Sequence, residues 1–163
     1  MENRLNIIFF LTPKEEVAYI FEDNTIHELL DMMQARRYSA IPILKRTGEY
    51  SGTLTEGDVL WAIKNQGQMD FKHALQLLVS DVPRRFDHLP VKISADIEEL
   101  FAKSLDQNFV PVEDDRGVFI GIVTRRSIIR YYQDKLNRDK SNPSEKVKLD
   151  LILSAGVANG AAV

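Results

Sequence analysis

The spacing of apolar residues predicts a first amphipathic helix that begins near residue 26. Its apolar positions follow the i, i+3, i+4, i+7 spacing of a single helical face: Ile26, Leu29, Leu30 and Met33. Thr25 stands just before this run and Glu28 follows three residues later, which is the capping-box pattern of a helix start. One face of the helix is therefore expected to pack inward.

Short β-rich runs on either side of this helix predict strands. They lie at residues 17–21, 40–44 and 50–54. The glycine-containing turn at residues 45–48 joins the last two runs, which favours a hairpin. A second helix is predicted to begin at residues 55–58, so the order of elements is β-α-β-β-α.

The same order returns in the second half of the chain. The sequence Ala-Ile-Pro-Ile at residues 40–43 comes back as Phe-Val-Pro-Val at residues 109–112, an offset of 69 residues. At the same offset, Gly52 to Thr55 return as Gly121 to Thr124. Self-similarity at a fixed period marks a duplicated structural unit. We therefore predict an α/β (α+β) fold made of two β-α-β-β-α repeats.

The repeats divide the chain into segments. An N-terminal segment covers residues 1–12, the first repeat residues 13–66 and the second repeat residues 82–136. Between them, residues 67–81 carry apolar side chains at helical spacing, which predicts a linking helix. Residues 137–163 form a C-terminal tail. A docked strand, a partner-binding peptide and a disordered end all stay open for it, and a flexible or partner-dependent tail is favoured.

Composition narrows the classes of function. The 163 residues carry a formal net charge of −3, which argues against a protein that wraps duplex DNA, so no nucleic-acid partner is expected. The absence of cysteine removes disulfide scaffolds and thiolate zinc sites and is compatible with a reducing cytoplasm. The apolar run at residues 7–11 is too short to cross a membrane. We expect a cytoplasmic protein without a membrane partner, in which this run packs on the fold or across a dimer.

No residue pattern in the sequence predicts catalysis. The histidines His27, His73 and His88 lie at unrelated positions, and a single histidine is usually a surface or satisfied core residue. The sequence also lacks a glycine-rich phosphate loop and a nucleophile elbow. The protein is therefore expected not to be an enzyme, and no catalytic residue, metal site or cofactor is predicted.

The duplicated motif resembles a known family. Each repeat joins an apolar-Pro-apolar strand to a Gly-x-x-Thr-x-x-(Asp or Ser) stretch at a helix start, Gly52 to Asp58 in the first and Gly121 to Ser127 in the second. This combination is similar to the CBS domain, which occurs as tandem pairs. The resemblance implies pseudo-twofold symmetry between the repeats, a regulatory role without catalysis, and pairing into a homodimer. It also implies an adenosyl ligand, such as AMP, ADP, ATP, cyclic di-AMP or S-adenosylmethionine.

The resemblance further implies two clefts between the repeats in which a purine can lie. Backbone groups near Ala18, Tyr19, Ser39 and Ala40 are expected to read the base, and the bulkier Phe109 at the place of Ala40 makes the clefts unequal. The candidate ligand-binding residues come from strands and helix starts of both repeats: Ala18, Tyr19, Tyr38, Ser39, Ala40, Ile41, Pro42, Thr55, Asp58, Phe109, Val110, Pro111, Thr124, Arg125, Arg126 and Ser127.

The helix start of the second repeat is the predicted phosphate site. Free backbone N–H groups and the helix dipole favour an anion there, Thr124 adds a hydroxyl, and Arg125 and Arg126 add charge-assisted donors. In the first repeat, Asp58 can accept hydrogen bonds from ribose hydroxyls, a role that Ser127 fills less firmly. The paired arginines are similar to those of stand-alone bacterial CBS pairs that bind cyclic di-AMP.

Each of these residues also has an ordinary structural interpretation. Thr55 and Thr124 are favourable helix N-caps, Asp58 is favoured in a first helical turn, and the two arginines can belong to a solvated face. A ligand-free module that serves dimerisation or partner binding is therefore kept as the alternative function. In either case, the regulatory output is expected to pass to a second, unidentified protein.

Overall fold

The two halves of the chain fold into the same succession of elements in the computed structural model, which describes residues 6–65 and 71–138. The first half contains a 3-10 turn at Ile7–Phe10, β1 (Leu11–Pro13), β2 (Ile20–Phe21), α1 (Ile26–Arg36), β3 (Ala40–Leu44), β4 (Tyr50–Thr55) and α2 (Glu56–Asn65). The second half contains α3 (Phe71–Ala74), β5 (Val91–Lys92), α4 (Ile97–Asp106), β6 (Phe109–Glu113), β7 (Phe119–Thr124) and α5 (Arg125–Arg138). The predicted mixed α/β fold with a duplicated β-α-β-β-α order is confirmed.

The start of α1 is held by the predicted capping box. The backbone N–H of Glu28 donates to Thr25 Oγ1 at 3.3 Å, and the Glu28 carboxylate accepts the backbone N–H of Thr25 at 2.8 Å. These bonds satisfy donors that the first helical turn would otherwise leave unpaired. The apolar face of α1 buries Ile26, Leu29 and Met33, as the spacing predicts.

The two hairpins have the same register. Ala40 pairs with Thr55 between β3 and β4, and Phe109 pairs with Thr124 between β6 and β7. Each hairpin is extended by a parallel strand, β2 beside β3 and β5 beside β6. The helices α2 and α5, which follow directly, therefore begin at equivalent positions of the two repeats.

The N-terminal segment completes the sheet of the second repeat. β1 pairs antiparallel with β7, so the strand orders are β2-β3-β4 and β1-β7-β6-β5. Ile7 and Phe10 are buried in the core of the second repeat, where the Phe10 ring centroid lies 5.1 Å from that of Tyr131. This part of the apolar run thus packs on the fold, as expected.

A cluster of side chains from both repeats joins the two halves. Val17 and Leu44 pack with Phe119, and the Tyr50 ring stacks on that of Phe119 with centroids 6.2 Å apart. The backbone N–H of Phe119 donates to the carbonyl of Gly48 at 3.0 Å. Because these contacts cross between the hairpins, they hold the repeats in a fixed relative position.

The segment between the repeats is not the continuous helix predicted for residues 67–81. In its described part, α3 is a single helical turn. The carbonyl groups of Leu75 and Leu77 accept hydrogen bonds from the backbone N–H groups of His27 at 3.0 Å and Ile26 at 2.9 Å. These carbonyls complete the start of α1, so they are not available to a helix of their own.

Other boundaries differ slightly from the predictions. The strand predicted at residues 17–21 is limited to β2, because only Ile20 and Phe21 pair with β3. α5 continues past residue 136 to Arg138. The rest of the predicted tail, residues 139–163, lies outside the described residues. No helix in the described part of the chain is long and apolar enough to cross a membrane.

Candidate ligand-binding clefts

A cleft of about 300 Å³ opens between the two repeats, and we call it the first cleft. The first half of the chain lines it with Thr12, Glu16, Val17, Ala18, Arg37, Tyr38, Ser39, Ala40 and Pro42. The second half lines it with Asn108, Phe109, Ile122 and Thr124. Its volume is at the lower end of the range for small-molecule pockets.

The wall contributed by the first repeat includes two small side chains and a proline. Ala18 and Ala40 carry minimal side chains, and Pro42 adds an apolar surface. The carbonyl of Ser39 accepts the backbone N–H of Glu56 at 3.0 Å, which ties this wall to the start of α2. The wall therefore has a fixed backbone at Ser39 and small side chains at Ala18 and Ala40.

Thr124 brings a hydroxyl to the first cleft at the start of α5. Its Oγ1 accepts the backbone N–H of Ser127 at 3.0 Å, and the Ser127 hydroxyl donates to the Thr124 carbonyl at 2.7 Å. Thr124 is thus a helix N-cap. These bonds leave the proton of the Thr124 hydroxyl available for donation to a ligand.

The two arginines after Thr124 do not line the first cleft. Arg125 Nε donates to the carbonyl of Ser104 at 2.7 Å and its Nη2 to the carbonyl of Leu105 at 3.1 Å. Both carbonyls lie in the last turn of α4, where a cation complements the helix dipole. Arg126 is exposed. The structure therefore gives Arg125 a helix-capping contact, and the phosphate contact of Arg125 stays a prediction.

A second cleft, of about 250 Å³, lies at the start of α2. Its lining consists of Thr55, Gly57, Asp58, Trp61, Arg85, Phe86 and His88. Asp58 is 6% exposed. Its carboxylate accepts the backbone N–H groups of Thr55 at 2.9 Å and Arg85 at 3.0 Å, and the Thr55 hydroxyl at 2.6 Å. A buried carboxylate in this cleft disfavours a phosphate there.

Phe109 lies between the two clefts. It lines the first, and its ring centroid is 6.2 Å from that of His88, which lines the second. Burial lowers the pKa of His88, so the imidazole is uncharged at neutral pH. Ala40 and Phe109, which occupy equivalent positions of the two hairpins, both line the first cleft, so the expectation that Phe109 makes the clefts unequal stays a prediction.

Comparison with models of known protein families gives two matches to this chain, both to the CBS domain, at residues 10–65 and 70–134. The chain belongs to the CBS domain family. Each match spans one β-α-β-β-α unit, so the duplication seen in the structure is a pair of CBS repeats, and the first cleft takes residues from both.

Similar proteins include other CBS pairs. Cyclic di-AMP receptor B of Bacillus subtilis strain 168 is 26% identical over 126 residues, which cover 74% of this chain and 82% of the relative. A crystal structure of CbpB in complex with c-di-AMP matches with a TM-score of 0.73 at 24% identity, over 84% of this chain and 90% of that one. A crystal structure of CBSX2 in complex with AMP matches with a TM-score of 0.64 at 20% identity, over 79% and 96%. The two structures share the CBS-pair fold with this protein.

The CBS fold brings part of the predicted site together. The first cleft collects Ala18, Tyr38, Ser39, Ala40, Pro42, Phe109 and Thr124. The second cleft collects Thr55 and Asp58. The remaining candidates line neither of these clefts: Tyr19, Ile41, Val110, Pro111, Arg125, Arg126 and Ser127. Ile41 and Val110 are fully buried in the cores of their repeats, because alternate residues of a strand face opposite sides of the sheet.

The candidate ligand-binding residues leave out six that line the first cleft: Thr12, Glu16, Val17, Arg37, Asn108 and Ile122. Arg37 follows α1 with a left-handed backbone, φ 54° and ψ 42°. The end of the apolar periodicity shows that residue 37 belongs to a connection between a helix and a strand. Nothing in the sequence shows that this connection faces the other CBS repeat.

Proposed function

We propose that this CBS pair is a regulatory sensor that binds an adenine nucleotide in the first cleft and signals to a second protein. The observation that carries the proposal is a cleft shared by both repeats, in which Ala18 and Ala40 leave room for a purine and Thr124 offers a hydroxyl donor. The similarity to a cyclic di-AMP receptor and to an AMP-bound CBS structure supports this ligand class. AMP, ADP, ATP and cyclic di-AMP are the candidates.

The position of the first cleft explains how binding would act as a signal. A ligand in it touches both CBS repeats, so it favours the relative arrangement in which both walls fit it best. A ligand shifts a conformational equilibrium only by its difference in affinity for the two states. A partner protein that contacts both repeats would bind the two arrangements with different affinities and so respond to the shift.

Thermal unfolding with AMP, ADP, ATP and cyclic di-AMP tests the proposal. A ligand at about 100 times its dissociation constant stabilises the folded protein by about 2.7 kcal/mol. For a chain of this size, that stabilisation raises the melting temperature by several degrees. We expect such a rise with at least one of the four nucleotides. No rise with any of them would favour the ligand-free alternative.

Two cleft-filling variants then locate the ligand. Ala18→Phe fills the first cleft and is expected to abolish the rise in melting temperature. Gly57→Phe fills the second cleft and is expected to preserve the rise. A Cβ at Gly57 meets no atom closer than Thr55 Oγ1 at 3.7 Å, so the first atom of the new side chain has room. The reverse outcome would assign the ligand to the second cleft.

We also propose that the module forms a homodimer through α2. Leu60 is 60% exposed and Trp61 is 48% exposed on this helix, and adjacent large apolar side chains of this kind favour association. Light scattering after size-exclusion chromatography is expected to give a dimer for the wild type and a monomer for Leu60→Lys. A monomeric wild-type protein would contradict the proposal.

A further inference from the structure

Arg37 occupies a position where its side chain can meet a ligand of the first cleft. It follows the last residue of α1 and precedes Tyr38 and Ser39, which line the same cleft. We propose that Arg37 binds a phosphate of the nucleotide and thereby selects phosphorylated adenosines over adenosine. The inference rests on the proposed function of the first cleft.

The described lining of the first cleft offers an anionic ligand a single cationic side chain. Arg37 is the one lysine or arginine among the described residues that line the cleft. Its guanidinium forms no ion pair and no hydrogen bond with any residue that the structure describes. Arg125, by contrast, uses its guanidinium on the carbonyls of Ser104 and Leu105. The donors of Arg37 are therefore available in the fork geometry that suits phosphate oxygens.

The left-handed backbone of Arg37 is common at the end of a helix, but arginine is an unusual residue type for that conformation. Arg37 is the one non-glycine residue with positive φ in the described part of the chain. Its N–H caps α1 by donating to the carbonyls of Met33 and Gln34. Glycine or asparagine is preferred at such a left-handed cap, because other side chains strain the backbone. A strained, cleft-lining arginine without a structural partner is typical of a residue kept for binding.

Glu16 limits the ligands that Arg37 can hold. Its carboxylate lines the same cleft, so the charged side chains of the lining are one carboxylate and one guanidinium. A single phosphate group, as in AMP or in one phosphodiester of a cyclic dinucleotide, can pair with Arg37 at a distance from Glu16. The additional negative charge of a triphosphate has no further cation in the described lining. We therefore expect ATP to bind no more tightly than AMP.

Isothermal titration with AMP and with adenosine tests the assignment. The wild type is expected to bind AMP more tightly than adenosine. Arg37→Gly is expected to lower the affinity for AMP about tenfold or more, the loss of a charge-assisted contact, and to leave the affinity for adenosine unchanged. Arg37→Asn, which also suits a left-handed cap, is expected to behave in the same way. Arg36→Ala, the matched control in the last turn of α1, is expected to change neither affinity.

The same variants report on folding. Glycine relieves the left-handed backbone, so the melting temperature of unliganded Arg37→Gly is expected to rise while its affinity for AMP falls. Equal losses for AMP and adenosine, or no loss for either, would overturn the Arg37 assignment while leaving the nucleotide site in place. A wild-type protein that binds neither compound nor any of the candidate nucleotides would overturn the proposed site itself, and the Arg37 assignment with it.

Discussion

Arg125 and Arg126 are neighbours in the sequence, but their side chains have different environments. The guanidinium of Arg125 donates two hydrogen bonds to carbonyls at the end of α4, whereas Arg126 is exposed on α5. A cation in the first turn of a helix is unfavourable for that helix. For Arg125, the C-terminal end of α4 compensates, because it presents unpaired carbonyl groups to the same cation.

Replacing each arginine by alanine separates the two roles. Arg125→Ala is expected to lower the free energy of unfolding by about 1–2 kcal/mol, because it removes charge-assisted bonds to α4. Arg126→Ala is expected to change it by less than about 0.5 kcal/mol, as is usual for an exposed side chain. Urea unfolding of both variants measures the difference. Equal effects would mean that the contact with α4 does not stabilise the fold.

His88 predicts a pH dependence of stability. Burial lowers its pKa below the ordinary value of 6.5, against the opposing effect of the Asp58 and Asp87 carboxylates. The unfolded chain therefore takes up the proton at a higher pH than the folded protein does. The stabilising contribution of neutral His88 is fully present above about pH 6.5 and is lost as the pH falls toward its folded pKa.

His88→Gln is expected to flatten the dependence of stability on pH between about pH 7 and pH 5. The urea midpoint measured across this range checks it. His73→Gln, on the exposed surface of α3, is the matched control and is expected to keep the wild-type slope. An unchanged slope in the His88 variant would show that another group controls stability in this window.

At the scale of elements, the two long helices after β2 and β5 begin with different caps. Thr25 accepts the Glu28 N–H with its side chain, whereas Asp96, at the same point of the second repeat, makes no side-chain cap bond. Thr25→Ala is expected to lower the free energy of unfolding by about 1 kcal/mol, and Asp96→Ala by about half as much or less. Chemical denaturation of both variants decides the matter. A larger loss for Asp96→Ala would contradict the order given by the caps.

The hairpins and the helices around them could be predicted from sequence because their signals are local. The Pro42 and Pro111 strands, the turn glycines and the capping residues lie within a few positions of the elements that they specify. The link between the repeats could not be predicted in the same way. Its apolar spacing is helical, but Leu75 and Leu77 bind through their carbonyls to the start of α1, a contact distant in sequence.

The residues that line the first cleft could likewise be predicted only where local sequence signals place them. Residues at strand starts, such as Ala40 and Phe109, reach the first cleft because the hairpin register places them there. The contact of Arg125 with α4 and the place of Arg37 in the cleft lining were not predicted, because both depend on where another segment ends. Arg125 donates a hydrogen bond to the end of α4, and Arg37 lines the cleft because α1 ends beside it. Neither position follows from a motif.

At the scale of the whole molecule, Gly121 allows β1 to lie close to its partner strand β7. A Cβ at Gly121 would collide with the carbonyl oxygen of Thr12 and lie 3.1 Å from the Cα of Pro13, both of which are backbone atoms. At the equivalent Gly52, the collision is with the guanidinium of Arg84, the flexible end of a side chain. The two glycines have the same φ of +155°, so the backbone strain of a substitution is common to both.

Gly121→Ala is therefore expected to destabilise the protein by about 2 kcal/mol more than Gly52→Ala, the range of core overpacking. Chemical denaturation gives the difference. Hydrogen exchange at the backbone amides of Leu11 and Thr12 is expected to accelerate only in Gly121→Ala, because β1 must move to admit the new methyl group. Equal destabilisation by the two substitutions would show that β1 contributes little to the fold.

The pairing of β1 with β7 also means that β1 cannot complete its sheet until β7 has been synthesised. Leu11 pairs with Val123, a separation of 112 residues, so β1 leaves the ribosome well before the strand with which it pairs. At translation rates of about 5–20 residues per second, that wait is on the order of 10 s. During this interval, Ile7 and Phe10 have no second sheet to cover them. A slowly translated message would prolong the exposure of this apolar segment in the nascent chain.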